Sequence, residues 1–127
     1  MNEAERLGPD AEFEKRLKAG KFCIQRCEDT GRHVFYPRLL SPYSGSDRLA
    51  WVEASGKGTV YSTTTIRQKP ERGGDYNLSI IELAEGPKMM SRVEGVAPDA
   101  VRIGMEVRAR IAEADGASLV VFDALVS

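Results

Sequence analysis

"GKGTVYSTTTIR" runs from Gly56 to Arg67. It is rich in β-branched residues and it alternates, with Val60, Ser62, Thr64 and Ile66 on one face and Thr59, Tyr61, Thr63 and Thr65 on the other. That pattern reads as a strand, and further strand signals follow it. "QKPERGGD" (Gln68 to Asp75) is a polar loop with two adjacent glycines, and "YNLSIIEL" (Tyr76 to Leu83) is a second strand. Its apolar phase slips at Ile80-Ile81, which signals a bulge or burial on both faces. After the turn "EGP", "KMMSRV" (Lys88 to Val93) is a third strand. "APDAVRIGM" (Ala97 to Met105) reads as a short turn of helix broken at Gly104. "EVRARIAEA" then alternates, with Val107, Ala109 and Ile111 inward and Glu106, Arg108 and Arg110 outward. Asp115-Gly116 is a hairpin turn signal, and "SLVVFDAL" is the last strand. Periodicity alone specifies a small antiparallel β barrel. Five strands with a short helical insert between the third and fourth is the plan of an OB-fold.

Upstream the pattern changes. Residues 1–21 read as an N-terminal helical segment, with Phe13 and Leu17 four apart on one face. Asp10 is the expected N-cap, Glu12 and Glu14 suit the positive end of the helix dipole, and Gly20 stops the helix. A helix this short is marginal in water, so its apolar edge must pack on the rest of the chain or on a partner. Residues 22–48 form a second unit and residues 49–127 the barrel. "QRCEDTGRHVFYPRLLSPYSGS" (Gln25 to Ser46) has the cadence of a zinc ribbon, two turns joined by a short hairpin, yet only one of four expected cysteines is present. Phe22-Cys23-Ile24 and Val34-Phe35-Tyr36 read as its strands, the second ended by Pro37. Gly31 and Gly45 sit just after the two turns, where left-handed backbone is needed.

Composition narrows the function. The 127 residues carry 18 basic and 19 acidic side chains, a net charge of −1. That is not the broad positive field of a protein that grips phosphate backbones. No apolar run approaches the ~20 residues of a membrane span, and the charged N-terminus lacks the pattern of a secretory signal, so a cytoplasmic protein is expected. Cys23 and Cys27 fit a reducing compartment. Within one strand they could not bridge, because four residues span about 13 Å and a disulfide needs Cα atoms within about 7 Å.

Several segments together carry a family resemblance: Phe13, Leu17 and Gly20; "QRC"; Pro37-Arg38; "SPYSGS"; "WVEASGKGTVYS" (Trp51 to Ser62); "ELAEGPKMMSRVEG" (Glu82 to Gly95); and "RIGMEVR" (Arg102 to Arg108). From Phe13 to the end the chain resembles the DUF35 family. The resemblance implies an N-terminal helix, a rubredoxin-like zinc ribbon and a C-terminal OB-fold. It also implies a non-catalytic subunit that binds a thiolase-like enzyme acting on acyl-CoA. The family's four zinc ligands fall on Cys27, Thr30, Ser41 and Ser44. Structural zinc is held by thiolate and imidazole in a tetrahedron, and neutral hydroxyls are poor substitutes. Cys23, His33, Asp29 and Asp47 are near in sequence but not at ribbon spacing. We therefore expect a degenerate, metal-free ribbon and no cofactor, with the hydroxyls bonded to turn backbones.

The remaining site expectations follow. His33 is the only histidine and is expected at the surface; no Ser-His-Asp arrangement is visible. Arg67, Lys69, Arg72, Arg102, Arg108 and Arg110 are candidates for binding the phosphates of CoA or a partner, the bland alternative being a solvated face. Phe13, Leu17, Phe35 and Tyr36 are candidates for docking. Trp51 is expected to begin the barrel and pack between it and the ribbon. The leading expectation is a scaffold subunit that binds a thiolase-like enzyme and contributes to binding acyl-CoA. The alternative is a single-stranded nucleic-acid-binding OB module, for which Tyr61 and Tyr76 are the stacking candidates.

Overall fold

The computed structural model describes residues 8–125. Helix α1 spans Pro9–Lys18 and is followed by nine strands: β1 Cys23–Cys27, β2 His33–Val34, β3 Leu49–Glu53, β4 Lys57–Ile66, β5 Tyr76–Leu83, β6 Lys88–Ser91, β7 Val93–Glu94, β8 Glu106–Ala114 and β9 Ala117–Ala124. They form one three-stranded and one six-stranded sheet. The chain divides into two compact units. One holds the helix, the small sheet and the hairpin tip Ile111–Leu119; the other holds Ser55–Arg110 and the chain from Val120.

In the first unit the N-cap lies two residues earlier than expected. Gly8 is the N-cap and Pro9 opens the helix, its fixed φ suiting the first turn. Asp10 therefore lies inside the first turn, where it meets the helix dipole, and does not cap. The other end closes as expected. Gly20 adopts φ +87°, Lys21 N donates to Arg16 O at 2.9 Å and Gly20 N to Leu17 O at 2.8 Å, a Schellman closure. The helix expected over residues 1–7 lies outside the described residues.

The small sheet has the order β2-β1-β3, all antiparallel, with Gln25 facing Val34 on one side and Trp51 on the other. β3 was expected to open the barrel; it is the ribbon's third strand. Trp51 accordingly sits in the ribbon sheet, with the Arg16 guanidinium 5.4 Å from its ring centre. Leu17, Phe22, Cys23, Ile24 and Val34 are buried. Edge-on ring pairs, Phe13 with Phe22 at 6.3 Å and with Phe35 at 5.5 Å, extend that cluster. At the hairpin tip, Ser118 N donates to the Glu14 carboxylate at 2.8 Å.

The large sheet has the order β6-β5-β4-β8-β9-β7. β6 and β7 are separated only by Arg92, so the first and last strands of the sheet are one stretch of chain. The sheet therefore closes on itself, with Val93 facing Phe122 in parallel register and Phe122 N bonded to Arg92 O at 3.0 Å. This is the OB barrel, and the insert before β8 is a single 3-10 turn, Pro98–Ala100. Val60, Ile81, Leu83, Met89, Val107 and Phe122 fill it. Gly58 is required inside: a Cβ there would lie 2.6 Å from Ile81 Cγ2.

The phase slip has a different origin from the one the sequence suggested. Val60 faces Ile81 and Ser62 faces Ile80, so Tyr61 is the extra residue of a bulge in β4. Ile80 and Ile81 keep strict alternation, and only Ile81 is fully buried. Beyond the bulge β4 changes phase. Thr63 points in with Asn77 and Ser79, and Ile66, expected on the face of Val60, lies on the other.

Candidate functional site

The four positions Cys27, Thr30, Ser41 and Ser44 come together in the first unit. Two matching turns hold them. Gly31 N donates to Cys27 O and Cys27 N to Arg32 O, both at 2.7 Å. In the second turn Gly45 N donates to Ser41 O at 2.9 Å and Ser41 N to Ser46 O at 2.7 Å. Gly31 and Gly45 both take positive φ, +75° and +77°, as the turn geometry requires. Inside the turns hydroxyl oxygens accept the free amides: Tyr43 N and Ser44 N reach Ser41 Oγ at 3.1 and 3.3 Å, and Arg32 N reaches Thr30 Oγ1 at 3.2 Å.

Cys27 is wholly buried, with 0% of its surface exposed, and Ser44 Oγ lies 3.6 Å from its sulfur. The hydroxyls of Ser41 and Thr30 pull its pKa down to about 6, against burial, which raises it. Ser44 contributes less, and its hydroxyl also donates to the Asp29 carboxylate at 2.8 Å. Asp29 also accepts from Ser46 Oγ and, at 2.8 Å, from Arg48 Nη1. Ser46 first and then Ser44 hold its carboxyl below the usual carboxylate range, with Arg48 adding charge attraction.

This donor set does not fit zinc. It offers one thiolate and three hydroxyls where a structural site needs four thiolate or imidazole donors. Among the described residues no cluster of three His, Cys, Asp or Glu is placed to hold a metal ion. His33 offers Tyr43 its backbone carbonyl, at 3.0 Å, and among the described residues no nucleophile is bonded to its ring.

The six basic candidates differ in what they pair with. Arg67 is paired with Asp75 at 2.7 Å, and Arg110 is paired with Asp123 at 2.9 Å and with Glu94. These partners raise both guanidinium pKa values further. Arg102 donates to the Asp99 carbonyl at 2.8 Å, and Arg67 feels the Asp99 charge. Lys69 and Arg72 belong to the 3-10 turn of the β4–β5 loop. Arg108 differs. It faces Lys57 directly across the β4–β8 pair, and both line a cavity of about 490 Å³ with Thr59, Glu106, Val107 and Leu125. Two like charges directly opposite one another are unfavourable. Lys57, which sequence reasoning did not single out, was visible only once the register was known.

Three of the four docking candidates are engaged within their own unit. Leu17 is 2% exposed and part of its own core, so it is not a docking residue. Phe13 and Phe35 are half-buried against one another. Tyr36 is exposed, and so are Leu39 (74%) and Leu40 (55%), neither of which was among the four docking candidates. Leu39 and Leu40 line a second cavity of about 470 Å³ with Pro9, Asp10, Pro37 and Arg38. Tyr61 and Tyr76 each carry a cation over the ring, Lys88 and Arg92 at 4.7 Å.

Residues 15–50 match the family model "ChsH2, rubredoxin-like zinc ribbon domain", and residues 51–112 match "ChsH2, C-terminal OB-fold domain". A solved structure described as "Ltp2-ChsH2(DUF35) aldolase" superposes with a TM-score of 0.83 at 31% identity, covering 96% of this chain and 98% of that one. The chain belongs to the DUF35 family. A DUF35 domain-containing scaffold protein of Pyrococcus furiosus is 35% identical over 95 residues, 72% of this chain and 65% of the relative. A probable enoyl-CoA hydratase alpha subunit of Thermomonospora curvata is 36% identical over 102 residues, 77% of this chain but 31% of the relative. The chain thus spans about a third of that hydratase subunit and about two thirds of the scaffold protein. Among the described residues no helix is long and apolar enough to cross a membrane.

Proposed function

We propose that this chain is a non-catalytic accessory subunit that docks on a thiolase-like or hydratase enzyme, and that its barrel helps bind the enzyme's acyl-CoA. The observation that carries the reading is the full-length likeness to the DUF35 chain of the Ltp2-ChsH2 aldolase. The scaffold and hydratase-subunit names of its relatives point the same way. Tyr36, Leu39 and Leu40 supply an exposed apolar segment for docking. Lys57 and Arg108 supply two neighbouring cations suited to phosphate. The two cysteines, Cys23 and Cys27, are both buried, and among the described residues no side chain bonds to the His33 ring.

Affinity capture from the native host, read by mass spectrometry, tests the docking. Recovery of a thiolase-like or hydratase subunit in equal amount is expected, with loss of that subunit when Leu39→Asp and Leu40→Asp are combined. Repeated recovery of no such enzyme overturns the reading. For the acyl-CoA part, Arg108→Glu in the captured complex is expected to weaken acyl-CoA binding about tenfold or more in a calorimetric titration. Unchanged affinity would remove that part and leave the docking standing.

A further inference from the structure

A ribbon that cannot hold zinc has to join its two turns in another way, because in small zinc modules the metal's binding energy is the folding energy. Asp29 lies in the first turn, between Cys27 and Thr30. All three of its side-chain partners, Ser44, Ser46 and Arg48, lie in the second turn or just after it. One carboxylate therefore spans the gap that a metal ion spans in a ribbon with four thiolates. The charge balance suits the task. A carboxylate accepting three donors makes charge-assisted bonds, and Arg48 neutralises it.

We infer that Asp29 is the clasp of this ribbon, an anion-centred link that takes the place of the cation-centred one and makes the module independent of metal. The surrounding hydroxyls then have a defined part. Ser41 and Thr30 accept the turn amides within each turn, and Ser44 and Ser46 donate across the gap. The inference stands apart from the proposed partner, since it concerns only how the first unit is held.

The test uses the full chain, purified without added zinc. Elemental analysis is expected to find zinc well below one equivalent, and a chelator should leave hydrogen exchange at Gly31 and Gly45 unchanged. Stoichiometric zinc, or amides that lose protection with the chelator, overturns the inference. Asp29→Ala is expected to speed exchange of those amides about tenfold or more while Val60 and Ile81 keep theirs. Protection at the level of the unaltered chain in Asp29→Ala overturns it. Glu28→Gln is the control, since Glu28 reaches the same Arg48 at 3.5 Å but bonds to neither serine. Equal loss in both variants would show a mere charge effect and overturn the assignment. Should Asp29→Ala not fold, Ser46→Ala removes one donor to the clasp. Partial acceleration is expected from it, and no acceleration overturns the proposal.

Discussion

The ribbon and the barrel are both small β structures, and different interactions hold them. The barrel is held by what it buries: Phe122, Ile81, Leu83, Val60 and Val107 fill its interior, and its sheet closes without a free start or finish. A buried polar cluster is bonded within it as well. Buried Asn77 accepts from Ser79 Oγ and Val93 N and donates to Thr63 Oγ1, Thr64 O and Pro98 O. In the ribbon the apolar cluster gathers on the helix side, and the two turns are held by side-chain hydrogen bonds. Gln25 shows how. Its amide accepts from Arg38 N and donates to Arg38 O, both at 2.7 Å, so one side chain pairs with the backbone as a strand would. Side-chain hydrogen bonds link the turns of one unit, whereas apolar packing fills the other.

The largest effect should come from breaking the barrel's side of that contrast. Phe122 is fully buried, so Phe122→Ala removes an aromatic side chain and leaves a cavity, at about 3–5 kcal/mol. Chemical denaturation that follows barrel amides should report that loss. A change below ~1 kcal/mol would mean the interior is not close-packed around this ring. Gln25→Ala should be milder, about 1–2 kcal/mol for two lost bonds, and should appear first as faster exchange around Arg38. If barrel amides weaken as much as ribbon amides, the contrast between the units fails.

The two units also differed in how much the sequence disclosed. Alternation in β8 and the turn at Asp115-Gly116 showed the barrel plan directly, since apolar residues mark which side is in. The Thr-rich run of β4 did not, because Thr is at home on either face of a sheet. Its bulge at Tyr61 therefore went unread, while a bulge or burial on both faces was expected at Ile80-Ile81, where the apolar signal was strong. β3 misled for a related reason. Leu49 to Val52 are all half-buried, so no alternation says which sheet they join. Leu17 and Phe13 were left as candidates for packing on the chain or docking on a partner, because a helix stripe shows that something is covered, not what covers it. In the ribbon the spacing of the turns was visible, and so was the loss of three cysteines. The parts played by Asp29 and Gln25 were not, because each bonds to residues 13 to 19 positions away and no local pattern marks such a partner. Lys57 beside Arg108 needed the strand register in the same way.

The smallest expected effect is also the one that most directly probes the former metal position. Cys27 has its pKa lowered to about 6 from an ordinary value of 9.0. The folded ribbon then prefers the thiolate, and the unfolded chain keeps the thiol up to higher pH. Stabilisation from this group is complete above the unfolded value and is lost as pH falls through the folded one. Ribbon stability should therefore rise between about pH 6 and pH 9, a window in which Asp29, lowered from 3.8, is already ionised and contributes no slope. Hydrogen exchange of Gly31, corrected for the intrinsic pH dependence of exchange, measures the trend, and thiolate absorbance gives the titration itself. Cys27→Ser keeps a hydroxyl in the cage but does not ionise in this range, so it should abolish the slope. A slope that survives in Cys27→Ser would place the titration elsewhere, and a flat profile in the unaltered chain would mean that the hydroxyls of Ser41 and Thr30 do not outweigh the burial of the sulfur.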